Sequence, residues 1–293
     1  MTALSAVDAA LLAADLPPLR QVALSGGGTI EYREAGPAGA PAILLLHGTG
    51  SSSAGYRAQL AGLSDRFRVV AWNAPGYGAS TPLDAAEPTA LDYAEAVAGF
   101  MDALGIARVA VLAGSSWGSV IALNLTVARP ARVAALVLSA PNTARGALPA
   151  EARAAALAEA RRNLPQPGAD RRAVADRLLT PDTPEPVRAL VERLRDDLTP
   201  AGWLGAMHMM FTTDTPSIIG RVECPVAILA GTRDRMAPLE LHAEKLRAAK
   251  PDAALHVLEG HGHMLKLEAP GRFNTILRDM AEGRQSPGQE GRK

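Results

Sequence analysis

The sequence contains one cysteine, few aromatic residues and no excess of charge of either sign. Because Cys224 is alone, no internal disulfide can form, which is typical of proteins from a reducing compartment. Lysine and arginine together number 30, as do aspartate and glutamate, and no basic stripe carries interleaved aromatic side chains. We therefore expect no nucleic-acid partner. No apolar run approaches the length of a membrane span, so we expect no membrane partner and a cytoplasmic location.

The amino-terminal segment, residues 1–20, is rich in alanine and leucine and has to be distinguished from an export signal. It has no positively charged start, and Asp8 and Asp15 interrupt its apolar run. We predict a short helix against the surface instead. The carboxy-terminal residues 283–293 are polar and contain glycine and proline, which predicts a disordered tail.

The 293 residues are enough for one large domain, or for a core domain that carries an insertion. Continuous apolar runs, typical of strands buried on both faces of a parallel sheet, alternate with helical patterns in residues 21–142 and again in residues 221–282. Between them, residues 143–220 have helical periodicity and no convincing strand. The pattern predicts an α/β core domain, a doubly wound and mostly parallel sheet, with an inserted all-helical cap or lid.

The most informative stretch is residues 109–120, VAVLAGSSWGSV. A short apolar strand leads into a tight turn and then a helical pattern, so that Ser116 lies at the apex of a G-x-S-x-G motif. Gly114 and Gly118 leave room for a strained turn, and the start of the helix directs its N–H groups at charge forming beside the hydroxyl. If Ser115 were the nucleophile, glycines would be needed at positions 113 and 117, which hold alanine and tryptophan.

Polar groups follow two later predicted strands. Asp234 comes after residues 226–230, and His263 comes after residues 254–258. Because the carboxyl ends of parallel strands meet at one edge of a sheet, we expect both side chains there together with Ser116. A nucleophilic serine needs a base within reach, and the base needs an orienting carboxylate. The chain order serine, acid, histidine is the order expected for an α/β-hydrolase.

From residue 29 to residue 280, outside the cap, the chain resembles the α/β-hydrolase family. The last of its motifs is similar to the family's catalytic-histidine segment, G-H followed by E-x-P, with Glu268 and Pro270 in the last two places. One departure is Asn73, where many relatives have aspartate; that position is usually structural. The motifs are HGTG at 47–50, NAPGYGAS at 73–80, GSSWGS at 114–119, GTRD at 231–234 and GHGHMLKLEAPGRFN at 260–274.

The resemblance implies a serine hydrolase that needs no cofactor and no metal. Ser116 is then the nucleophile, His263 the general base and later acid, and Asp234 the orienting acid. The backbone N–H groups of Thr49 and Trp117 are expected to form the oxyanion hole.

The pocket is assigned from the loop after the first parallel strand and from the cap. We expect His47 both to fix its loop through hydrogen bonds and to border the pocket. Methionine and aromatic residues at 203–211 indicate an apolar lining, and residues 201–219 contain no cluster of arginine or lysine to hold a carboxylate. The residues assigned to the substrate pocket are His47, Gly48, Met207 and Met210.

Several assignments have rivals. His261 is a second candidate for the base, and with His263 it could form a metal pair, although no further ligand has suitable spacing. Asp234 could instead cap the following helix or pair with a neighbouring arginine. The glycine-rich turn at Gly48 lacks the third glycine of a dinucleotide-binding loop, since position 53 is Ser53.

We expect the substrate to be a carboxylic ester of a small or medium apolar acid. The alternative is hydrolysis of a carbon–carbon bond in a ring-cleavage product, or of a lactone, by the same three residues. The segment GSSWGS also looks like the corresponding segment of proline iminopeptidases. The HGTG loop of this chain, however, does not match the oxyanion loop of those enzymes. A different class is a silent ligand receptor on this fold, which need not keep Ser116, Asp234 and His263. The sequence leaves a homodimer open.

Overall fold

The structure, a computed structural model, describes residues 4–164 and 171–284. The tail predicted to be disordered lies outside these residues apart from Gly283 and Arg284. The described residues form an eight-stranded sheet with the order β1-β2-β4-β3-β5-β6-β7-β8. Its strands are β1 (Arg20–Ala23), β2 (Thr29–Ala35), β3 (Ala42–Leu46), β4 (Arg68–Trp72), β5 (Val111–Ser115), β6 (Leu136–Ser139), β7 (Val226–Gly231) and β8 (Ala254–Leu258).

The predicted doubly wound sheet is confirmed. The strands β3 to β8 run parallel to one another, and β2 of the antiparallel β1–β2 hairpin pairs antiparallel with β4. Every residue of β3, β5, β6 and β7 is buried, because helices cover both faces of the sheet. This is why these strands have continuous apolar sequences instead of alternating ones.

Helices connect the parallel strands and pack on the two faces of the sheet. The longest, α3, begins with a capping box in which the side chains of Thr89 and Asp92 each accept a backbone N–H. The amino-terminal helix α1 packs against α2 and α11, as a surface helix would. These helices are α1 (Ala6–Ala13), α2 (Arg57–Leu63), α3 (Ala90–Ala103), α4 (Trp117–Ala128), α9 (Ala243–Ala249), α10 (Leu265–Glu268) and α11 (Pro270–Ala281).

Four more helices lie in the chain between β6 and β7, where the sequence predicted a helical insertion. They are α5 (Ala150–Arg162), α6 (Arg171–Leu178), α7 (Glu185–Arg193) and α8 (Pro200–Thr212). The loop after β4 meets the start of α8: the Thr199 hydroxyl donates to the Gly76 carbonyl at 2.6 Å, and Tyr77 forms a β-bridge with Leu198. The division into a core of residues 21–142 and 221–282 and a cap of residues 143–220 stays a prediction.

Among the described residues, no helix is both long and apolar enough to cross a membrane.

The contact between α8 and the loop after β4 depends on a missing side chain. A Cβ at Gly202 would lie 2.5 Å from the Gly76 carbonyl oxygen and 2.8 Å from Cε2 of Tyr77. A Cβ at Gly99, in α3, would meet nothing within 4 Å. The backbones of α8 and of this loop are therefore as close as they can be.

Alanine at these two helical glycines should have opposite effects. Gly202→Ala should lower the free energy of unfolding by about 1–3 kcal/mol, because it overpacks the contact. Gly99→Ala should raise it by about 0.5–1 kcal/mol, since alanine is the better helix former and has free space. Urea denaturation measures both. Equal effects of the two variants would show that α8 does not pack against this loop so closely.

Candidate active site

Ser116 lies between the end of β5 and the start of α4. Its backbone conformation is one that residues other than glycine rarely adopt. Its φ is 52° and its ψ is −115°, a strained combination that costs roughly 1–3 kcal/mol and persists only where the surroundings impose it. A Cβ at Gly114 would lie 2.2 Å from the carbonyl oxygen of Gly118, and one at Gly118 would lie 2.3 Å from that of Leu46. Only glycines allow the strand and the helix to meet so closely.

The strand reaches further into the motif than the sequence predicted. Gly114 and Ser115 belong to β5, because Gly114 pairs with both β3 and β6 and Ser115 pairs with β6. The sharp turn is thus Ser116 itself, and α4 begins at the next residue, Trp117. The first N–H groups of α4 have no intrahelical acceptor and lie beside Ser116.

His263 and Asp234 form a buried pair at the carboxyl ends of β8 and β7. Nδ1 of His263 lies 2.7 Å from Oδ2 of Asp234, while the other carboxylate oxygen accepts the backbone N–H groups of Met236 and Ala237 at 2.8 and 2.9 Å. Burial by itself raises the pKa of Asp234, but these hydrogen bonds outweigh it and hold the pKa below its ordinary value. The ionised carboxylate fixes Nδ1 of His263 as the protonated nitrogen and leaves Nε2 as an acceptor.

Glu268 holds the histidine loop in place. Its carboxylate accepts the N–H groups of Gly262 and Met264, the two residues that flank His263, at 3.1 and 2.9 Å. The N–H of His263 itself donates to the Leu178 carbonyl of α6 at 2.8 Å. This explains why glutamate stands five residues after the histidine in the motif.

Ser116 and His263 both line one cavity of about 300 Å³, and Asp234 lies behind His263 with its side chain fully buried. The cavity also contains Gly48, Thr49 and Trp117, and the inserted helices contribute much of its wall. The apolar residues that line it are Trp117, Val174, Leu178, Val191, Leu194, Trp203, Met207, Met210, Phe211, Met236 and Met264.

Thr49 and Trp117, predicted to supply the oxyanion hole, line the same cavity as Ser116. Within the described parts of the chain, the N–H of Thr49 donates to no carbonyl. Trp117 is the first residue of α4, so its N–H has no acceptor within the helix. The Trp117 ring packs against Tyr93 and Tyr77, at centroid distances of 4.9 and 5.7 Å, which fixes the helix start.

One pocket assignment is corrected. His47 does not line the cavity; its ring is fully buried and holds two loops together. Nδ1 donates to the Gly48 carbonyl at 2.9 Å, and Nε2 accepts the Ala74 N–H at 3.0 Å. Burial lowers the pKa of His47 to about 3, so the ring is neutral. The expectation that His47 fixes its loop agrees with this position.

The rivals named from the sequence lie elsewhere. His261 is half-exposed outside the cavity, with Nδ1 2.8 Å from the Glu259 carbonyl oxygen. No group of three or more His, Cys, Asp or Glu side chains that could hold a metal is found in the described ranges.

Asn73 has a local explanation. Its amide nitrogen donates to the buried carboxylate of Glu31, and its amide oxygen accepts the Ser53 N–H at 2.7 Å. An aspartate here would place two carboxylates in contact, so asparagine suits a chain that has Glu31.

Sequence reasoning missed the cations of the cavity. The wall carries Arg145, Arg177, Arg195 and Lys266, and no acidic side chain is among the described residues that line it. The expectation of an uncharged lining is therefore wrong. Arg145, Arg177 and Arg195 lie between β6 and β7 but outside residues 201–219, the range in which the sequence offered no cluster of arginine or lysine. Lys266 lies three residues after His263 in the last motif.

Comparison with known proteins agrees with this fold. The model of a family described as "Alpha/beta hydrolase family" matches residues 43–276. A 2-hydroxy-6-oxo-6-phenylhexa-2,4-dienoate hydrolase of Comamonas testosteroni is 29% identical over 281 residues, covering 87% of this chain and 92% of the relative. An (E)-2-((N-methylformamido)methylene)succinate hydrolase of Acinetobacter baylyi is 28% identical, covering 88% and 96%. The crystal structure of a hydrolase from Pseudomonas aeruginosa PA01 has a TM-score of 0.79 at 25% identity, covering 89% and 97%.

The buried His47 should make the protein sensitive to acid. The pKa of His47 is about 3 in the folded state and lies below its value in the unfolded state. Below about pH 6.5 the unfolded state therefore binds a proton at this residue and the folded state does not. Stability should fall with decreasing pH, by up to about 1.4 kcal/mol per pH unit from this residue. His47→Asn removes this term, so between pH 7 and pH 5 it should lose about 2 kcal/mol less than the wild type in urea denaturation. If the wild type and His47→Asn lose the same free energy of unfolding, His47 is not the buried neutral histidine described here.

Proposed function

The chain belongs to the alpha/beta hydrolase family, and we propose that Ser116, His263 and Asp234 give it serine-dependent hydrolase activity on a carboxylic ester. The observation that carries this proposal is that Ser116 and His263 line one cavity, with the ionised Asp234 buried and paired with the histidine. The strained conformation of Ser116 supports it, since strain of this kind clusters at functional sites.

The proposed reaction follows from these positions. The Ser116 hydroxyl attacks the carbonyl carbon of the substrate, and Nε2 of His263 takes its proton. Asp234 stabilises the imidazolium that forms. The N–H groups of Thr49 and Trp117 hold the negative oxygen of the tetrahedral intermediate. His263 then protonates the leaving group, and water activated by the same ring hydrolyses the acyl-enzyme.

The inserted helices supply most of the apolar wall and thereby shape the proposed acyl pocket. Met207 and Met210, from α8, lie beside Trp203 and Phe211 in the cavity. Methionine is flexible and fills irregular space, so this wall suits an aliphatic acyl chain of small or medium size. The same helices exclude water from the carbonyl.

A second candidate is hydrolysis of a carbon–carbon bond next to a ketone, or of a lactone. Two observations favour it: the cationic lining of the cavity, and the similarity to a relative named 2-hydroxy-6-oxo-6-phenylhexa-2,4-dienoate hydrolase. The same three residues would serve, because either reaction needs an activated oxygen nucleophile and a proton donor. The substrate panel below therefore contains both kinds of bond.

Variants of paired neighbours test the proposal. With p-nitrophenyl esters of graded chain length and a ring-cleavage product as substrates, Ser116→Ala should lower kcat by about 10⁴-fold or more, and Ser115→Ala by much less. His263→Ala should abolish turnover and His261→Ala should retain it. Circular dichroism checks that the variants fold.

Four outcomes would contradict the proposed ester hydrolysis. Full activity in Ser116→Ala would exclude a serine mechanism, and full activity in His263→Ala would exclude this base. Failure of a fluorophosphonate to label the wild type would favour a silent receptor. Turnover of the ring-cleavage product alone would select the second candidate over the ester.

The acyl-chain preference tests the role of α8. Met207→Trp and Met210→Trp should shift the optimum to shorter p-nitrophenyl esters and keep kcat on the shortest, because the larger side chain reduces the volume of the pocket. Leu148→Trp, at an exposed position outside the cavity, is the control. An unchanged chain-length profile in both methionine variants would assign the pocket to other residues.

A further inference from the structure

We propose that the cavity beside Ser116 binds a carboxylate group of the substrate and that the ammonium group of Lys266 is its anchor. The substrates would be small esters, or compounds with another hydrolysable carbonyl group, that carry a free carboxylate a few bonds from the carbonyl. This inference rests on the proposed function, since it names the substrate class of the same site.

Lys266 is a buried cation without a carboxylate partner among the described residues. Its side chain is 1% exposed, Nζ donates to the Ser115 hydroxyl at 3.2 Å, and the ammonium lies 4.9 Å from the centroid of the Tyr56 ring. Burial alone lowers its pKa, to about 7, and no described acidic group offsets it. Arg188, which is also buried, is paired with Asp176. A buried charge normally has such a partner, and Lys266 lines a cavity through which a ligand can supply one.

Two hydroxyl groups beside Lys266 complete a set of donors. The Ser51 hydroxyl is buried and has no hydrogen-bond partner in the described part of the chain, and Ser51 lines the same cavity. Ser51 Oγ and Lys266 Cε lie 2.7 and 3.2 Å from the point where a Cβ would stand on Gly55, so both border the same space beside Gly55. The Ser115 hydroxyl accepts from Lys266 and keeps its own proton for another acceptor. An ammonium and two hydroxyls match the two oxygens of a carboxylate.

The rest of the lining favours an anion as well. Arg145, Arg177 and Arg195 reach the cavity from different segments, and no described acidic residue lines it. Arg145 also packs over the Phe211 ring, with Cζ 5.4 Å from the centroid, so it remains in the apolar wall. Like charges in a cleft with low-dielectric walls raise the local concentration of oppositely charged ligands.

The position of Lys266 sets the length of the substrate. Lys266 contacts Ser115, the residue before the proposed nucleophile, so a carboxylate bound there lies near the carbonyl under attack. Monoesters of succinic, glutaric and adipic acids place the carboxylate at increasing distances from the ester carbonyl. Their aliphatic chain can lie along Met207 and Met210.

Matched substrates test the inference. For each acid, kcat/KM of the mono-p-nitrophenyl ester is divided by that of the neutral ester in which an isopropyl group replaces the carboxylate. The wild type should favour at least one acid ester by about tenfold or more. Lys266→Met should lower this ratio by about 50-fold, the size expected when a buried charge-assisted hydrogen bond is lost. Lys266→Arg should keep part of it, because the charge remains.

The control is Lys250→Met, which removes another nearly buried lysine that pairs with Asp252 outside the cavity. Its ratio should equal that of the wild type. If Lys266→Met lowers kcat/KM of the acid and neutral esters equally, Lys266 only supports the structure around Ser115 and the inference is wrong. Circular dichroism and the melting temperature show whether the variant is folded.

Binding without turnover separates this inference from the proposed function. Ser116→Ala, titrated with glutarate by calorimetry, should bind it more than tenfold more tightly than the double variant with Lys266→Met. If all esters are hydrolysed through Ser116 but no dicarboxylate binds and no acid ester is favoured, only the carboxylate anchor fails. If Ser116→Ala keeps its turnover, the serine mechanism fails, and the calorimetric comparison still decides whether Lys266 binds carboxylates.

Discussion

The close approach of α4 to the ends of β3 and β5 is the constraint on which the site depends. Gly114 and Gly118 bring the helix start so near to the Leu46 carbonyl that the residue between strand and helix has no relaxed conformation left. Ser116 therefore takes a φ of 52° at the edge of the sheet. The packing of the sheet and helix around Ser116 maintains this strained conformation. The fold therefore determines the direction of the Ser116 side chain.

Burial and charge are balanced differently at three points around that serine. Asp234 keeps its charge because His263 and two backbone N–H groups compensate for the loss of water. His47 gives up its charge and joins two loops as a neutral ring. Burial lowers the pKa of Lys266 to about 7, no described acidic group stabilises its charged form, and the residue borders the cavity. A site that leaves one buried charge uncompensated is suited to a ligand that brings the opposite charge.

Much of the fold could be predicted because its signals are local. Apolar runs such as that of β3 indicate strands buried on both faces, and G-x-S-x-G between a strand and a helix has a strong steric meaning. Boundaries were less accurate: β5 extends through Ser115, because pairing with β3 and β6 continues beyond the last β-branched residue. The position of His47 was half predicted, since the sequence indicates a loop histidine but not whether its ring faces the cavity or the core.

By itself, the sequence determined the order of strands and helices, the strained turn at Ser116, and the chain order of serine, acid and histidine. These follow from hydrophobic periodicity and from the small residues that a tight turn requires. Only the tertiary structure decided the charge of the cavity, because Arg145, Arg177, Arg195 and Lys266 come from separate segments of the chain and line one cavity only in the folded protein. Electrostatic character depends on distances in space, and no pattern of neighbouring residues encodes it.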